Sequence, residues 1–228
     1  MTDAVATYCD ARNRFITLIR GLPEAMLERW VPACPQWSVL NIVAHVAGAS
    51  ADFVASNFPA PGTPFECWTA IQVHKRTELP LEELLAEWDE LTPTIVALLS
   101  QGKVPEGPLI NDLATHEQDV RGALGIPGGR DAPGYAFARD RFLLRLGDRV
   151  REAQLPALAL HTGAWDHVAG AGDSVVSVTA PAFELERALA GRRSRNQIEH
   201  FEWEGDAVPY QRLIPMMGPS KFDLIETA

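Results

Sequence analysis

The stretch CPQWSVLNIVAHVAG, residues 34–48, combines a loop, a helix start and a helix with one apolar face. Two prolines interrupt regular structure over residues 31–36, and Ser38 is a residue type that caps the N-terminus of a helix. Beyond Ser38, apolar side chains recur at helical spacing as Val39, Ile42, Val43, Val46, Phe53 and Val54. This pattern predicts an amphipathic helix over residues 39–57, whose apolar face needs a core to pack against.

Three further segments around this helix carry the same periodicity. Apolar residues recur at helical spacing over residues 3–22, over residues 80–98 after an opening proline, and over residues 109–124. The Gly- and Pro-rich residues 125–129 end the last of these helices. Residues 58–72 contain three prolines and are expected to form a long loop. Four amphipathic helices joined by loops predict a four-helix bundle.

The chain changes character after this bundle. A helix fits residues 132–154, and short segments bounded by Gly-rich turns predict strands at residues 157–161, 166–169 and 174–179. Short helices are expected at residues 183–189 and 195–201. The sequence thus predicts a mainly α protein, with a helical bundle over residues 1–155 and a small α+β region over residues 156–228.

The charge and hydropathy of the chain argue against several classes of partner. Its 30 acidic and 20 basic residues give a formal net charge of −10, whereas nucleic acids and anionic membrane surfaces attract basic proteins. The longest apolar stretch is shorter than the ~20 residues that a membrane-spanning helix needs. Residues 1–10 lack the basic start of a signal or transit peptide. We therefore expect a soluble, cytoplasmic protein that binds neither nucleic acid nor membrane.

Two histidines and a carboxylate fall where packed helices are expected to meet. On a helical wheel of residues 109–124, His116 lies in the middle of the apolar face and Asp112 lies at its edge, one turn earlier. Residues at i and i+4 are neighbours, so these two side chains can hold one ion. His45 lies just off the apolar stripe of its own helix. Two histidines and one carboxylate with open positions are a common ligand set for a catalytic divalent metal.

Interpretations without a metal stay open. A histidine on an apolar helix face is often a hydrogen-bonded core residue, and an Asp–His pair at i, i+4 can be a surface ion pair. Other kinds of site find no support in the sequence. Val120 stands where a zinc protease helix needs its second histidine, and no nucleophile elbow, dinucleotide-binding glycine motif or P-loop lysine occurs. The spacing of the residues therefore allows a metal site without requiring one.

Two segments resemble a known family. Residues 34–48 and the stretch NDLATHEQDVRGALG, residues 111–125, are similar to two motifs of the DinB-like, mycothiol-dependent maleylpyruvate isomerase family. The resemblance implies a DinB-like four-helix bundle that binds a metal, often zinc. It places His45, Asp112 and His116 as metal ligands and Asp119 as a residue that orients a ligand. The usual family pattern has glutamate in place of Asp112, so the ligand arm is one methylene shorter here.

The resemblance also implies an activity. Such a protein is expected to use mycothiol, a low-molecular-weight thiol, and a metal that makes its thiolate available for attack on a small electrophilic substrate. The outcome is cis–trans isomerisation or S-transfer, and no catalytic acid or base is assigned. Arg121, as a cofactor-binding candidate, and also Arg192 and Arg193 can bind carboxylates, although Asp119 can instead pair with Arg121. A binding or regulatory protein with a structural metal and a metal-dependent hydrolase are the alternatives.

Overall fold

The computed structural model describes residues 3–226, and it confirms a mainly α protein with a small α+β region towards the C-terminus. The first part contains α1 (Ala4–Arg20), α2 (Glu24–Leu27), α3 (Val39–Val54), α4 (Phe65–His74), α5 (Leu81–Ser100), α6 (Gly107–Leu124) and α7 (Pro133–Glu152). The second part contains β1 (Ala157–His161), β2 (Asp166–Ala169), β3 (Ser174–Thr179), α8 (Ala182–Leu189), α9 (Arg195–Glu199), β4 (Glu202–Glu204) and α10 (Val208–Gln211).

The chain divides into two compact units, and the division falls within α7 between Tyr135 and Ala136. The domain division expected at residue 155, where α7 has just ended, stays a prediction. Within the described residues 3–226, none of the helices has both the length and the apolar character that crossing a membrane requires.

The four helices expected to form a bundle pack against one another in the first unit. Helix α3 packs against α5 and α6, and α1 packs against the same two helices. Helix α3 begins where the sequence predicts, because the Ser38 hydroxyl accepts from the Asn41 backbone while the Asn41 side chain accepts from the Ser38 backbone. Helix α6 ends at Gly125, whose φ of 64° is the left-handed conformation that glycine adopts without strain.

The long loop predicted over residues 58–72 is wrong in its second half, because Phe65–His74 forms α4. Helix α4 packs against α3 through Thr69, Gln72 and Val73, of which two are polar. Its apolar Phe65 and Ile71 are instead exposed. A helix that buries polar side chains lacks the apolar periodicity by which a sequence reveals a helix.

A cluster of buried aromatic side chains lies in the core of the first unit. The indole N–H of Trp88 donates to the hydroxyl of Tyr8 at 3.1 Å, and the ring of Phe15 meets the Trp88 ring edge-on at 6.1 Å. The guanidinium of Arg12 lies 5.0 Å from the centre of the Trp88 ring. The cluster therefore joins α1 to α5 through both apolar and polar contacts.

The second unit is built around a four-stranded sheet with the strand order β2-β1-β3-β4. Strand β1 runs antiparallel to β2 and parallel to β3, and β4 pairs antiparallel with β3. Strands β1, β2 and β3 lie at the predicted positions. Strand β4 has three residues, which is too short for the alternation of apolar and polar residues to appear in the sequence.

The second unit contains a buried ion-pair cluster that the sequence does not predict. Arg193 is fully buried, and its guanidinium donates to the carboxylates of Glu184 and Glu226 at 2.6 and 2.7 Å. Arg187, also buried, donates to Glu226 at 2.8 Å. Arg193 is therefore committed to contacts within the protein, which makes it a poor candidate for binding a substrate carboxylate.

Candidate metal centre

The packing of α3 against α6 brings His45, Asp112 and His116 together. The Nε2 atom of His45 lies 3.2 Å from Oδ2 of Asp112, and Nε2 of His116 lies 3.5 Å from Oδ1 of the same carboxylate. The centres of the two imidazole rings are 4.9 Å apart. One potential ligand atom from each residue lies within 4.8 Å of the other two. The three predicted ligands thus converge in space.

The spacing and chemistry of these atoms fit a divalent metal. Donor atoms at about 2.0–2.2 Å from a tetrahedral ion lie roughly 3.3–3.6 Å from one another, close to the two His–Asp distances. The two histidines are 2 and 5% exposed, whereas the side chain of Asp112 retains a quarter of its exposure. The cluster is therefore buried on the histidine side and accessible on the carboxylate side, as a site with an open ligand position requires.

The other nitrogen of each imidazole is held by a neighbouring side chain. Nδ1 of His45 lies 2.8 Å from Oε1 of Gln72, and Nδ1 of His116 lies 2.9 Å from Oδ2 of Asp119. Contacts of this kind orient a metal-binding imidazole and leave Nε2 available as the ligand atom. Asp119 is almost fully buried beside His116, where the resemblance places a residue that orients a ligand.

Arg121 forms its ion pair with Glu117, whereas the sequence also allowed a pair with Asp119. Its Nε donates to Oε1 of Glu117 at 2.9 Å, and Glu117 is buried and also pairs with Arg14. The guanidinium of Arg121 is thus engaged within the protein, and its role in binding a cofactor stays a prediction.

Three residues at this centre are missed by reasoning from the sequence. The ring centre of Trp37 lies 4.8 Å from that of His45 and 5.9 Å from that of His116. Cys34 donates from its thiol to Asp119 at 3.4 Å and lies 3.8 Å from Nδ1 of His116. The third is Gln72. Cys34 and Trp37 belong to the same motif as His45, which is the signal that could have located them.

The charges of the cluster perturb one another strongly. Burial favours the neutral acid at Asp112, but the two neighbouring imidazoles outweigh it and lower the pKa of Asp112 far below its usual range. Burial likewise opposes a charged ring at His116, yet the Asp112 carboxylate and the hydrogen bonds with Asp119 and Cys34 raise the pKa of His116 well above its usual value. Without a metal, the centre therefore holds a carboxylate beside a protonated imidazole.

Metal binding to this centre should release a proton and weaken as the pH falls. A metal at Nε2 of His116 must displace the hydrogen that the raised pKa retains at neutral pH, so protons and metal compete. Below that pKa, affinity should fall about tenfold per pH unit for each proton displaced. Calorimetric titration with Zn²⁺ in two buffers of different ionisation enthalpy measures the released proton. An affinity that stays constant between about pH 6 and pH 8 would contradict this expectation.

The fold and this cluster describe a helical protein with a centre of two histidines and one carboxylate. Comparison with known proteins identifies a family and solved structures that it resembles. Residues 9–107 match the family model described as the mycothiol maleylpyruvate isomerase N-terminal domain. The match includes residues 34–48, the first of the two motifs that carry the resemblance. The matched residues contain Cys34, His45 and Gln72, whereas Asp112 and His116 follow them.

Solved structures share the fold. The crystal structure of the mycothiol-dependent maleylpyruvate isomerase is 12% identical, with a TM-score of 0.53 over 83% of this chain and 88% of that chain. A histidine-to-alanine mutant of that isomerase gives a TM-score of 0.52 at the same identity and coverage. No curated protein matches the chain. At this identity the likeness establishes a common fold, and the activity has to be argued from the residues.

Proposed function

We propose that this chain is a metal- and thiol-dependent enzyme that isomerises a small electrophilic substrate or transfers a thiol to it. His45, Asp112 and His116 hold a divalent metal, for which zinc is our choice because imidazole and carboxylate donors suit it. The convergence of three ligand atoms, with both Nδ1 atoms already occupied by neighbours, is the observation that carries the proposal. The thiol cosubstrate is mycothiol or a close relative, as in the isomerase of the same fold.

In this proposal, some residues of the centre bind the metal and others orient the metal ligands. When bound, the metal lowers the pKa of a thiol and so supplies thiolate near neutral pH. His45 and His116 present Nε2 towards Asp112, whose negative charge offsets part of the positive charge of the ion. Trp37 lies against both imidazoles. The partly exposed side of Asp112 is where thiol and substrate can approach.

The isomerisation uses the thiol without consuming it. Thiolate sulfur forms a bond to one alkene carbon, and the electron pair of the double bond moves to the neighbouring electron-withdrawing group. Rotation about the resulting single bond is then possible. Elimination breaks the carbon–sulfur bond, restores the double bond in the trans form and returns the thiolate. In an S-transfer, the new carbon–sulfur bond is retained and a leaving group departs instead.

The proposed setting is the cytoplasm, where small thiols are kept reduced. Cys9, Cys34 and Cys67 form no disulfide bonds, which suits a reducing compartment. The expected partners are therefore a low-molecular-weight thiol and a small-molecule substrate.

The decisive test is whether activity requires both metal and thiol. Zinc-loaded protein should convert maleylpyruvate when mycothiol is added, and omission of either metal or thiol should reduce the rate to the uncatalysed level. Ultraviolet absorbance of the conjugated substrate follows the reaction. Turnover with metal but without thiol would overturn the proposal in favour of a hydrolase, and tight zinc binding without any turnover would favour a structural metal.

A further inference from the structure

The two histidines of the centre are held by acceptors of different chemistry. Nδ1 of His116 meets the carboxylate of Asp119, which can only accept a hydrogen bond. Nδ1 of His45 meets the side-chain amide of Gln72, which can present either an oxygen or an NH₂ group. An amide alone therefore does not determine which nitrogen of His45 carries hydrogen.

A further contact settles the orientation of this amide. Nε2 of Gln72 donates to Oδ2 of Asp52 at 2.8 Å, and a carboxylate accepts hydrogen bonds without donating them. Because the NH₂ group of Gln72 is directed to Asp52, its oxygen faces His45. Nδ1 of His45 must then carry the hydrogen of that 2.8 Å contact, which leaves Nε2, beside Asp112, as the ring atom that a metal can bind.

The backbone of α3 provides the room for this chain of hydrogen bonds. His45 and Asp52 lie two turns apart on α3, with Gly48 between them, and Gln72 of α4 reaches both. A Cβ atom at Gly48 would lie 2.7 Å from Cβ of Gln72 and 2.8 Å from a guanidinium nitrogen of Arg76. Glycine at this position therefore allows α4 to approach α3 closely enough for Gln72 to bridge the two side chains.

Arg76, which follows α4 in the chain, links α4 to α5. Its guanidinium donates to both carboxylate oxygens of Glu87 on α5, at 2.7 and 2.5 Å, and to the backbone oxygen of Gln72 at 3.2 Å. A bidentate pair of this kind restricts the side chains more than a single contact does. Gln72 is thus held by its backbone as well as by Asp52.

We propose that Asp52 and Gln72 are positioning residues that keep the hydrogen of His45 on Nδ1 and so make Nε2 the metal-binding atom. The metal-binding part of this inference rests on the proposed function. Neither residue contributes a ligand atom, and Asp52 acts through two hydrogen bonds in series. Disturbing such a partner of a metal-binding histidine typically weakens metal binding by about 10–100-fold.

The test is the nearly isosteric substitution Asp52→Asn. Asparagine can donate as well as accept, so the amide of Gln72 is free to turn and present NH₂ to His45. Nitrogen-15 NMR of the metal-free protein should then show Nδ1 of His45 changing from a hydrogen-bearing to a bare nitrogen. Zinc affinity, measured against a chromophoric chelator, should fall about 10–100-fold.

Two further variants separate positioning from general structure. Asn57→Ala removes the other side-chain partner of Asp52, a 2.7 Å hydrogen bond, and should leave both measurements unchanged. Combining Asp52→Asn with Gln72→Glu reverses the donor and acceptor of their hydrogen bond while an acceptor still faces His45. The double variant should restore the hydrogen at Nδ1 and most of the zinc affinity, whereas a merely structural defect would worsen.

The outcomes distinguish this inference from the proposed function. An Asp52→Asn protein in which Nδ1 of His45 keeps its hydrogen would overturn the inference, whatever its affinity for zinc. A change at Nδ1 in a protein whose wild-type form binds no zinc would support the hydrogen-bond chain and overturn the proposed function instead. The NMR measurement needs no metal, so it can be interpreted in either case.

Discussion

The His116→Ala protein should lose its stoichiometric metal, with binding weakened by more than about 100-fold, which exceeds the usual effect of losing a residue that only orients a ligand. The substitution removes the imidazole whose Nε2 faces Asp112 and whose Nδ1 faces Asp119. His45 and Asp112 alone leave a two-ligand site, which is too few for a tightly held zinc ion. Elemental analysis of protein dialysed against a weak chelator measures the loss.

His161→Ala is the matched control for this prediction. His161 also contacts an aspartate, with Nδ1 2.9 Å from Oδ1 of Asp166, but both side chains are exposed. The control removes a histidine–aspartate pair of similar geometry, so the metal content should stay at the wild-type level. Full metal retention by His116→Ala would show that the ion binds elsewhere. A thermal unfolding profile of each variant establishes that loss of metal is not loss of fold.

Helical periodicity allows the sequence to predict which way the candidate ligand side chains point. Asp112, His116 and Asp119 are spaced so that they share one side of α6, and His45 lies at the edge of the buried stripe of α3. Which helices then pack together depends on contacts between distant segments, and a single sequence does not encode them in a local pattern. The family motifs supplied that information, because they associate the two helices with one site.

The residues that support the ligands are harder to predict for a physical reason. Gln72 is polar and buried, and its value to the fold comes from hydrogen bonds with His45 and Asp52 that form only after α4 has packed. Arg193 is similar, since its burial depends on two carboxylates that lie 9 and 33 residues away in the chain. Hydrophobic periodicity detects apolar side chains that are buried. It misses polar side chains that are buried together with a hydrogen-bonding or charged partner.

The Trp88→Ala substitution should destabilise the first compact unit by about 3–5 kcal/mol, the usual cost of removing a large aromatic side chain from a core. Trp88 is 0% exposed, and its loss leaves a cavity bordered by Phe15 and Tyr8. The buried hydroxyl of Tyr8 also loses its donor from the indole. Urea unfolding, followed by circular dichroism, measures the change as a lower transition midpoint.

Two variants divide this cost into its parts. Trp88→Phe keeps an aromatic ring but removes the N–H group, so it should cost about 1–3 kcal/mol through the lost hydrogen bond and the smaller ring. Trp30→Ala removes a tryptophan that is 52% exposed and should cost much less than either. If Trp88→Ala costs no more than Trp30→Ala, the aromatic cluster does not stabilise this unit. No residue of the cluster contacts His45, Asp112 or His116 through the hydrogen bonds and ring contacts described above. If zinc affinity at low urea is unchanged while stability falls, the cluster supports the helices without determining the geometry of the metal centre.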